Sequence, residues 1–305
     1  MKHVFKIFIL LSFFFCGCAT THNQTQQINS FAVAASSIAD ETIKTYEVVR
    51  DTTLEAELIE LAMLEQEELK AIDQEKIDGI SGVYAIEEKQ VIESLNALKE
   101  YSEALIKLCN ASVKEDLSVA SKEFHSSLES LSDAYDNISD KGLEIKDKHF
   151  AMLSSLVNGV GNVIVESKRK KAIKEIVRKT NPAIIKLCDL IAERVVANVD
   201  IVKVNIGTVY AEMISDYKDN AEKMSVSTRM KELKELRKYS NRNKEIEKVF
   251  NNAKTAVLKV KSAHQALYDS LMLDKMSTAK LKDEVKRLSD FGKEMKKFYK
   301  NILAD

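Results

Sequence analysis

Apolar residues recur at intervals of three and four along most of this chain, which is the spacing of one face of an α-helix. The clearest stripes lie in residues 113–139, 246–271 and 281–302. In 246–271 the steps alternate between four and three, the heptad spacing of helices that pack side by side. The pattern predicts an all-α fold: an elongated, antiparallel, coiled-coil-like bundle of about six or seven long helices.

Few residues interrupt these stripes. The 305 residues include one proline and eight glycines, too few for the many turns of a sheet protein. The expected helices cover about 28–78, the stretch up to 110, 113–142, 144–179, 182–224, and the stretches from 227 and 277 onward. Asn181 before Pro182 predicts a helix start, because asparagine is a favoured N-cap and proline suits the first helical position.

Two helices carry further packing information. The helix from Pro182 is apolar around most of its girth, which predicts a place at the centre of the bundle. The first helix begins with small residues that predict close packing against a neighbour: Ala32, Ala34, Ala35, Ser36, Ser37 and Ala39.

Charge is distributed unevenly along the chain. Residues 40–80 contain 13 acidic and four basic residues, whereas 221–305 contain 21 basic and 12 acidic residues. Solvated helix faces account for this pattern, and a second hypothesis is that the two regions lie side by side. The net charge of −1 does not favour a nucleic-acid partner.

The N-terminus has the features of an export signal. Lys2 and Lys6 precede an apolar run, 7–15, that is too short to span a membrane. Gly17 and Cys18 follow, and this segment resembles the lipobox of bacterial lipoproteins, where a small residue precedes the lipidated cysteine. An ordinary secretory signal is the alternative.

The resemblance covers residues 1–18. It implies cleavage before Cys18, a diacylglyceryl thioether on its sulfur and an acylated amine. No aspartate follows Cys18, which resembles the sorting context of the outer membrane, facing the periplasm or the surface. The expected organisation is a signal peptide in 1–17, the lipidated cysteine and a tether in 18–29, and one helical bundle in 30–305.

Two internal cysteines lie on inward-facing stripes. Cys109 continues the stripe of the second helix, and Cys188 lies between Ile184 and Ile191. In an oxidising envelope compartment a disulfide between them can persist. Two separate buried thiols that act as small hydrophobes are the other interpretation.

The segment 150–165 contains no charged residue, and Lys168, Arg169, Lys170 and Lys171 follow it. A buried core helix is the first interpretation of so short an apolar stretch. Contact of the four basic residues with a membrane or another anionic surface is the second.

No motif for catalysis, a cofactor or a metal occurs: HExxH, GxSxG and the P-loop are all missing from the sequence. His264 lies on the apolar stripe of 246–271, which predicts a hydrogen-bonded structural histidine. The sequence therefore predicts no enzyme, no cofactor and no metal site.

These features together predict a non-enzymatic, lipid-anchored helical scaffold or binding protein of the bacterial cell envelope. Its expected partners are the membrane, through the lipid on Cys18, and an envelope protein or cell-wall component. The alternative is a membrane-active helical protein, similar to pore-forming toxins, that uses 150–165.

Lipidation can be tested at one residue. Wild-type chain is expected to fractionate with membranes, because two or three acyl chains anchor a protein stably. A Cys18→Ser variant is expected to appear in the soluble fraction or to keep its signal peptide, whereas Cys16→Ser is the matched control. Unchanged processing and membrane fractionation of the Cys18→Ser variant would contradict the lipoprotein prediction.

Overall fold

The computed structural model describes residues 2–64, 72, 85–111, 114–139, 169–273 and 276–302. Within these ranges the chain forms six helices and no strand, which confirms the predicted all-α bundle. The helices are α1 (Lys2–Ala62), α2 (Ala85–Asn110), α3 (Lys114–Ile138), α4 (Arg169–Asn220), α5 (Val226–Met272) and α6 (Met276–Ile302). A 3-10 turn, Ala221–Lys223, joins α4 to α5.

Neighbouring helices are mainly antiparallel. Contacts run in opposite order along α1 and α5: Phe31 with His264, Tyr46 with Phe250, and Glu55 with Arg242. Contacts also run in opposite order along three other pairs of helices, which are α1 and α2, α4 and α5, and α5 and α6. Consequently α1, α4 and α6 run in one direction, whereas α2 and α5 run in the other.

The predicted stripes form the core. Every residue of the 246–271 stripe is buried, and so is the α3 stripe from Ala120 to Ile138. The buried α5 residues are Ile246, Phe250, Ala253, Val257, Val260, His264, Leu267 and Leu271. Each large apolar side chain buried in this way contributes about 1.5–3 kcal/mol, so these seams hold the bundle together.

Helix α1 lies against both α5 and α6, the neighbours that the charge pattern suggested. An ion pair between Glu55 and Arg242 crosses from α1 to α5. Three of the small residues of α1, Ala32, Ala35 and Ala39, are buried. The predicted close packing of the first helix is therefore confirmed for these three alanines.

Helix α4 does not start at Asn181 as predicted. It runs without interruption from Arg169 to Asn220, with Pro182 inside it. The Asn181 side chain hydrogen-bonds His264 and Gln265 of α5 and does not cap the helix. Tertiary hydrogen bonds have overridden the local preference for a helix boundary.

Helix α4 contacts α1, α2, α3 and α5, in agreement with the predicted central position. Its C-terminal half departs from the prediction of all-round burial. Val196, Ile201 and Val204 are 43%, 51% and 65% exposed, although Val202 and Ile206 beside them are buried. In this half the described helices cover one face of α4 and leave the opposite face in water.

Helix α1 begins at Lys2 and ends at Ala62, whereas the apolar pattern predicted 28–78. Ile28 is already part of the core. The packed bundle therefore starts within the stretch 18–29 that was predicted to be a tether. The predicted breaks at Gly79 and Gly82 lie outside the described residues.

Candidate functional site

A surface groove of about 1280 Å³ lies between residues 26–37 of α1 and residues 278–296 of α6. Helix α6 contacts α1 and α5 along one narrow stripe, in which Leu281, Leu288 and Met295 are buried. Val285, between the first two, is only half-buried and lines the groove. The groove thus has an apolar floor that the bundle does not fill.

Small side chains keep the groove open. On α1 it is lined by Ser30, Ala34 and Ser37, and on α6 by Ala279 and Ser289. At Gly292 the two helices come together, since an added Cβ would lie 3.4 Å from Cδ1 of Ile38. The two helices therefore approach closely at Gly292, whereas short side chains leave space between them along the groove.

The α6 wall of the groove is basic. Four lysines line it, Lys282, Lys286, Lys293 and Lys296, with one acidic residue, Asp290. The α1 wall is uncharged and offers amides and hydroxyls. Amides, hydroxyls and ammonium groups around an apolar floor suit an anionic ligand that also has an apolar face. We call this feature the lysine groove.

A smaller groove of about 600 Å³ continues along α1 and shares Val33, Ser37 and Lys296 with the lysine groove. Asp40, Glu47 and Glu103 line it together with Glu41, whose Oε1 accepts a 2.9 Å hydrogen bond from Lys44. Burial, with a smaller effect of the Glu41 charge, raises the pKa of the neighbouring Tyr299 to about 12. These carboxylates adjoin the Lys296 end of the lysine groove, so an anionic ligand is favoured at its other end, beside Lys282 and Lys286.

A chain of hydrogen bonds crosses the core away from both grooves. The carboxylate of Asp269 accepts from Gln265 Nε2 at 2.8 Å, and Gln265 Oε1 accepts from Asn181 Nδ2 at 3.0 Å. Asn181 Oδ1 lies 2.8 Å from His264 Nδ1, and His264 Nε2 lies 3.1 Å from Tyr101 Oη.

The Asp269 carboxylate sets the direction of this chain, because it can only accept hydrogen bonds. Gln265 must then present its NH₂ to Asp269 and its carbonyl to Asn181. Asn181 in turn presents its carbonyl to His264, so Nδ1 of His264 carries the proton. Nε2 is left as an acceptor for the Tyr101 hydroxyl. His264 is fully buried, and burial lowers its pKa to about 3.

His264 is thus a neutral, hydrogen-bonded structural histidine, in agreement with the interpretation from its position on the apolar stripe. His264 and its two hydrogen-bond partners, Asn181 and Tyr101, do not line the lysine groove. On α3 the partly exposed His125 lies 3.6 Å from Glu129. In the described part of the chain no group of three or more potential metal ligands forms a cluster.

The other predicted site residues are described only in part. Cys18 lies within the helical backbone of α1, but its side chain is outside the described residues. The same holds for the side chains of Arg169, Lys170 and Lys171, and both Lys168 and the segment 150–165 lie outside entirely. Among the described helices, none combines the length and the apolar character needed to cross a bilayer.

Cys109 and Cys188 are both buried and are not bridged in the structure, which corresponds to the interpretation as separate thiols. Burial raises the pKa of Cys188 to about 12, with a smaller effect of the Asp189 charge. The thiolate, the reactive form of cysteine, is therefore strongly disfavoured at this position.

Sequence reasoning missed the lysine groove. The sequence did contain a signal, because the four groove lysines all lie on one side of the apolar Leu281–Leu288–Met295 stripe of α6. The gap against α1 could not be inferred, since it depends on which helix faces the small residues of α1.

Comparison of the chain with protein-family models, with curated proteins and with solved structures finds no match. The function is therefore inferred from the residues and the geometry described above.

The state of the two cysteines has a direct test. Alkylation of unreduced protein is expected to label neither Cys109 nor Cys188 in the native state, because both are buried, and to label both after denaturation. Peptide mass spectrometry reads each position separately. Labelling that requires prior reduction would show a disulfide and contradict the structure.

Burial of neutral His264 predicts acid sensitivity. Its pKa is about 3 in the folded state against about 6.5 in the unfolded chain, so the unfolded state binds the proton first. This contribution to the free energy of unfolding is complete above about pH 6.5 and decreases as the pH falls towards 3. Between pH 7.5 and 5 the expected loss is about 2 kcal/mol.

Urea unfolding at several pH values measures this slope. A His264→Gln variant is expected to be less stable at neutral pH but to lose about 2 kcal/mol less on acidification to pH 5. His125→Gln, at a water-accessible position, is the control and should keep the wild-type slope. A wild-type slope in the His264→Gln variant would disprove this assignment.

Proposed function

We propose that the chain is a non-enzymatic, lipid-anchored helical binding protein of the bacterial cell envelope, held in the outer membrane by Cys18. We further propose that the lysine groove is its binding surface. The observation that carries this proposal is an open groove with an apolar floor and four lysines on one wall.

The position of the groove supports the proposal. Gln26, the first groove residue of α1, follows Cys18 by eight residues in one continuous helix. At 1.5 Å per residue this corresponds to about 12 Å along the helix axis. A lipid on Cys18 would therefore hold the groove near the membrane surface, where envelope proteins present their juxtamembrane segments.

The chemistry of the groove favours an acidic amphipathic helix of an envelope protein as the ligand. Such a helix can place an apolar face on Val285 and Ala34 and its carboxylates beside Lys282 and Lys286, in the helix-in-groove mode of recognition. The exposed lysines make the encounter faster and more specific, and the apolar floor supplies most of the affinity.

Synthetic peptides test this proposal. The probe is an amphipathic helix of about five turns, or about 18 residues, with a leucine stripe and glutamate flanks. Its counterpart has lysine in place of glutamate. Fluorescence anisotropy with purified full-length chain in detergent is expected to show binding of the glutamate peptide only, with an affinity that falls as salt increases.

Charge reversal locates the binding surface. The double variant Lys282→Glu, Lys286→Glu is expected to weaken binding of the glutamate peptide at least ~10-fold, since two of the four groove cations are reversed. The matched control is Lys122→Glu, Lys174→Glu, at exposed positions of α3 and α4 outside the groove. Equal binding of both peptides, or equal loss in both variants, would refute the proposed site.

A further inference from the structure

The far end of the α4–α5 hairpin carries two exposed apolar stripes. We call residues 196–238 the distal hairpin. Its α4 stripe has heptad spacing and consists of exposed, uncharged residues: Ala197, Ile201, Val204, Thr208 and Ala211. Ile201 and Val204 are at least half exposed, although apolar residues at heptad positions normally pack against another helix.

The second stripe lies on α5 and starts at its first residue. Val226, Met230 and Leu233 follow one another at steps of four and three, and they are 67%, 54% and 50% exposed. Contiguous exposed apolar surface of this kind marks an interaction site, because leaving it in water is unfavourable.

The two stripes have flanks of opposite charge. On α4, residues 196–220 contain four acidic and two basic residues, a net charge of −2. On α5, residues 226–238 contain five basic and two acidic residues, a net charge of +3. The surface of one helix is therefore complementary to that of the other, and each would be repelled by a second copy of itself.

The distal hairpin is held in shape before any partner binds. Ser225 caps α5 by accepting a 3.1 Å hydrogen bond from the Thr228 amide. Lys203 of α4 pairs with Glu247 of α5 at 2.8 Å. Because the two helices are already fixed, association costs little ordering of the chain.

We propose that the distal hairpin binds a second copy of this chain. A two-fold axis places the α4 stripe of each copy on the α5 stripe of the other, so that acidic flanks face basic flanks twice. Such an interface is closed, because the same two stripes are used on both copies. The result is an intermolecular four-helix assembly at the end of the bundle opposite the lysine groove.

Cross-linking of full-length chain in cell membranes tests the pairing. One tagged copy carries Val204→Cys and a second, differently tagged copy carries Met230→Cys. A thiol-reactive cross-linker is expected to join the two copies at least ~5-fold more efficiently than it joins two Val204→Cys copies. The matched control is Val119→Cys on α3, where the native side chain is 57% exposed. A copy with this cysteine should be cross-linked neither to the Val204→Cys copy nor to the Met230→Cys copy.

Sedimentation of the purified full-length chain in detergent tests the association itself. Wild-type chain is expected to be dimeric, and Val204→Glu is expected to raise the dissociation constant at least ~10-fold. Leu273→Glu, at a position 64% exposed on another surface, should leave it unchanged. A monomer at all concentrations, or preferred joining of two Val204→Cys copies, overturns the proposal.

One further outcome is informative. If the wild-type chain is monomeric and Val204→Glu lowers its melting temperature, another part of the same chain covers the stripe, and the proposal is wrong. Dissociation of the dimer at high salt, with an unchanged far-ultraviolet circular dichroism spectrum, would support the role assigned to the charged flanks.

Discussion

One uncharged imidazole inside the helix bundle constrains the arrangement of the surrounding helices. His264 is fully buried, and each of its ring nitrogens has a single hydrogen-bond partner, Asn181 on α4 and Tyr101 on α2. A slide of α5 by one residue would leave both nitrogens unpaired, at a cost of about 1–3 kcal/mol each. The registers of α2, α4 and α5 are therefore linked through this side chain.

The same constraint explains why α4 continues through Pro182. Asn181 is used to bind α5, so the residue that could have ended one helix and begun another holds two helices together. Because α4 continues, its C-terminal half reaches the distal hairpin with Ile201 and Val204 in water. Helix α6, in contrast, packs only through a narrow stripe and leaves the lysine groove beside α1.

Much of the fold followed from the spacing of apolar residues. The α5 stripe and the inward positions of Cys109 and Cys188 were predicted correctly, because heptad spacing leaves one face of a helix free to pack. The helix boundary at Asn181 and the burial of all of α4 were predicted wrongly. The capping preference of a residue and the distribution of apolar residues around one helix are local properties. Neither contains information on which neighbours a helix has.

The lysine groove also combines features that the sequence predicts with one that depends on the tertiary structure. Periodicity along the chain, which reflects the geometry of a single helix, was enough to predict α6 and its apolar stripe. The small residues of α1 were equally visible. That α6 lies beside these residues, leaving space for a ligand, follows from long-range packing among α1, α5 and α6. Such packing sums over many residues far apart in the chain, and no local pattern encodes it.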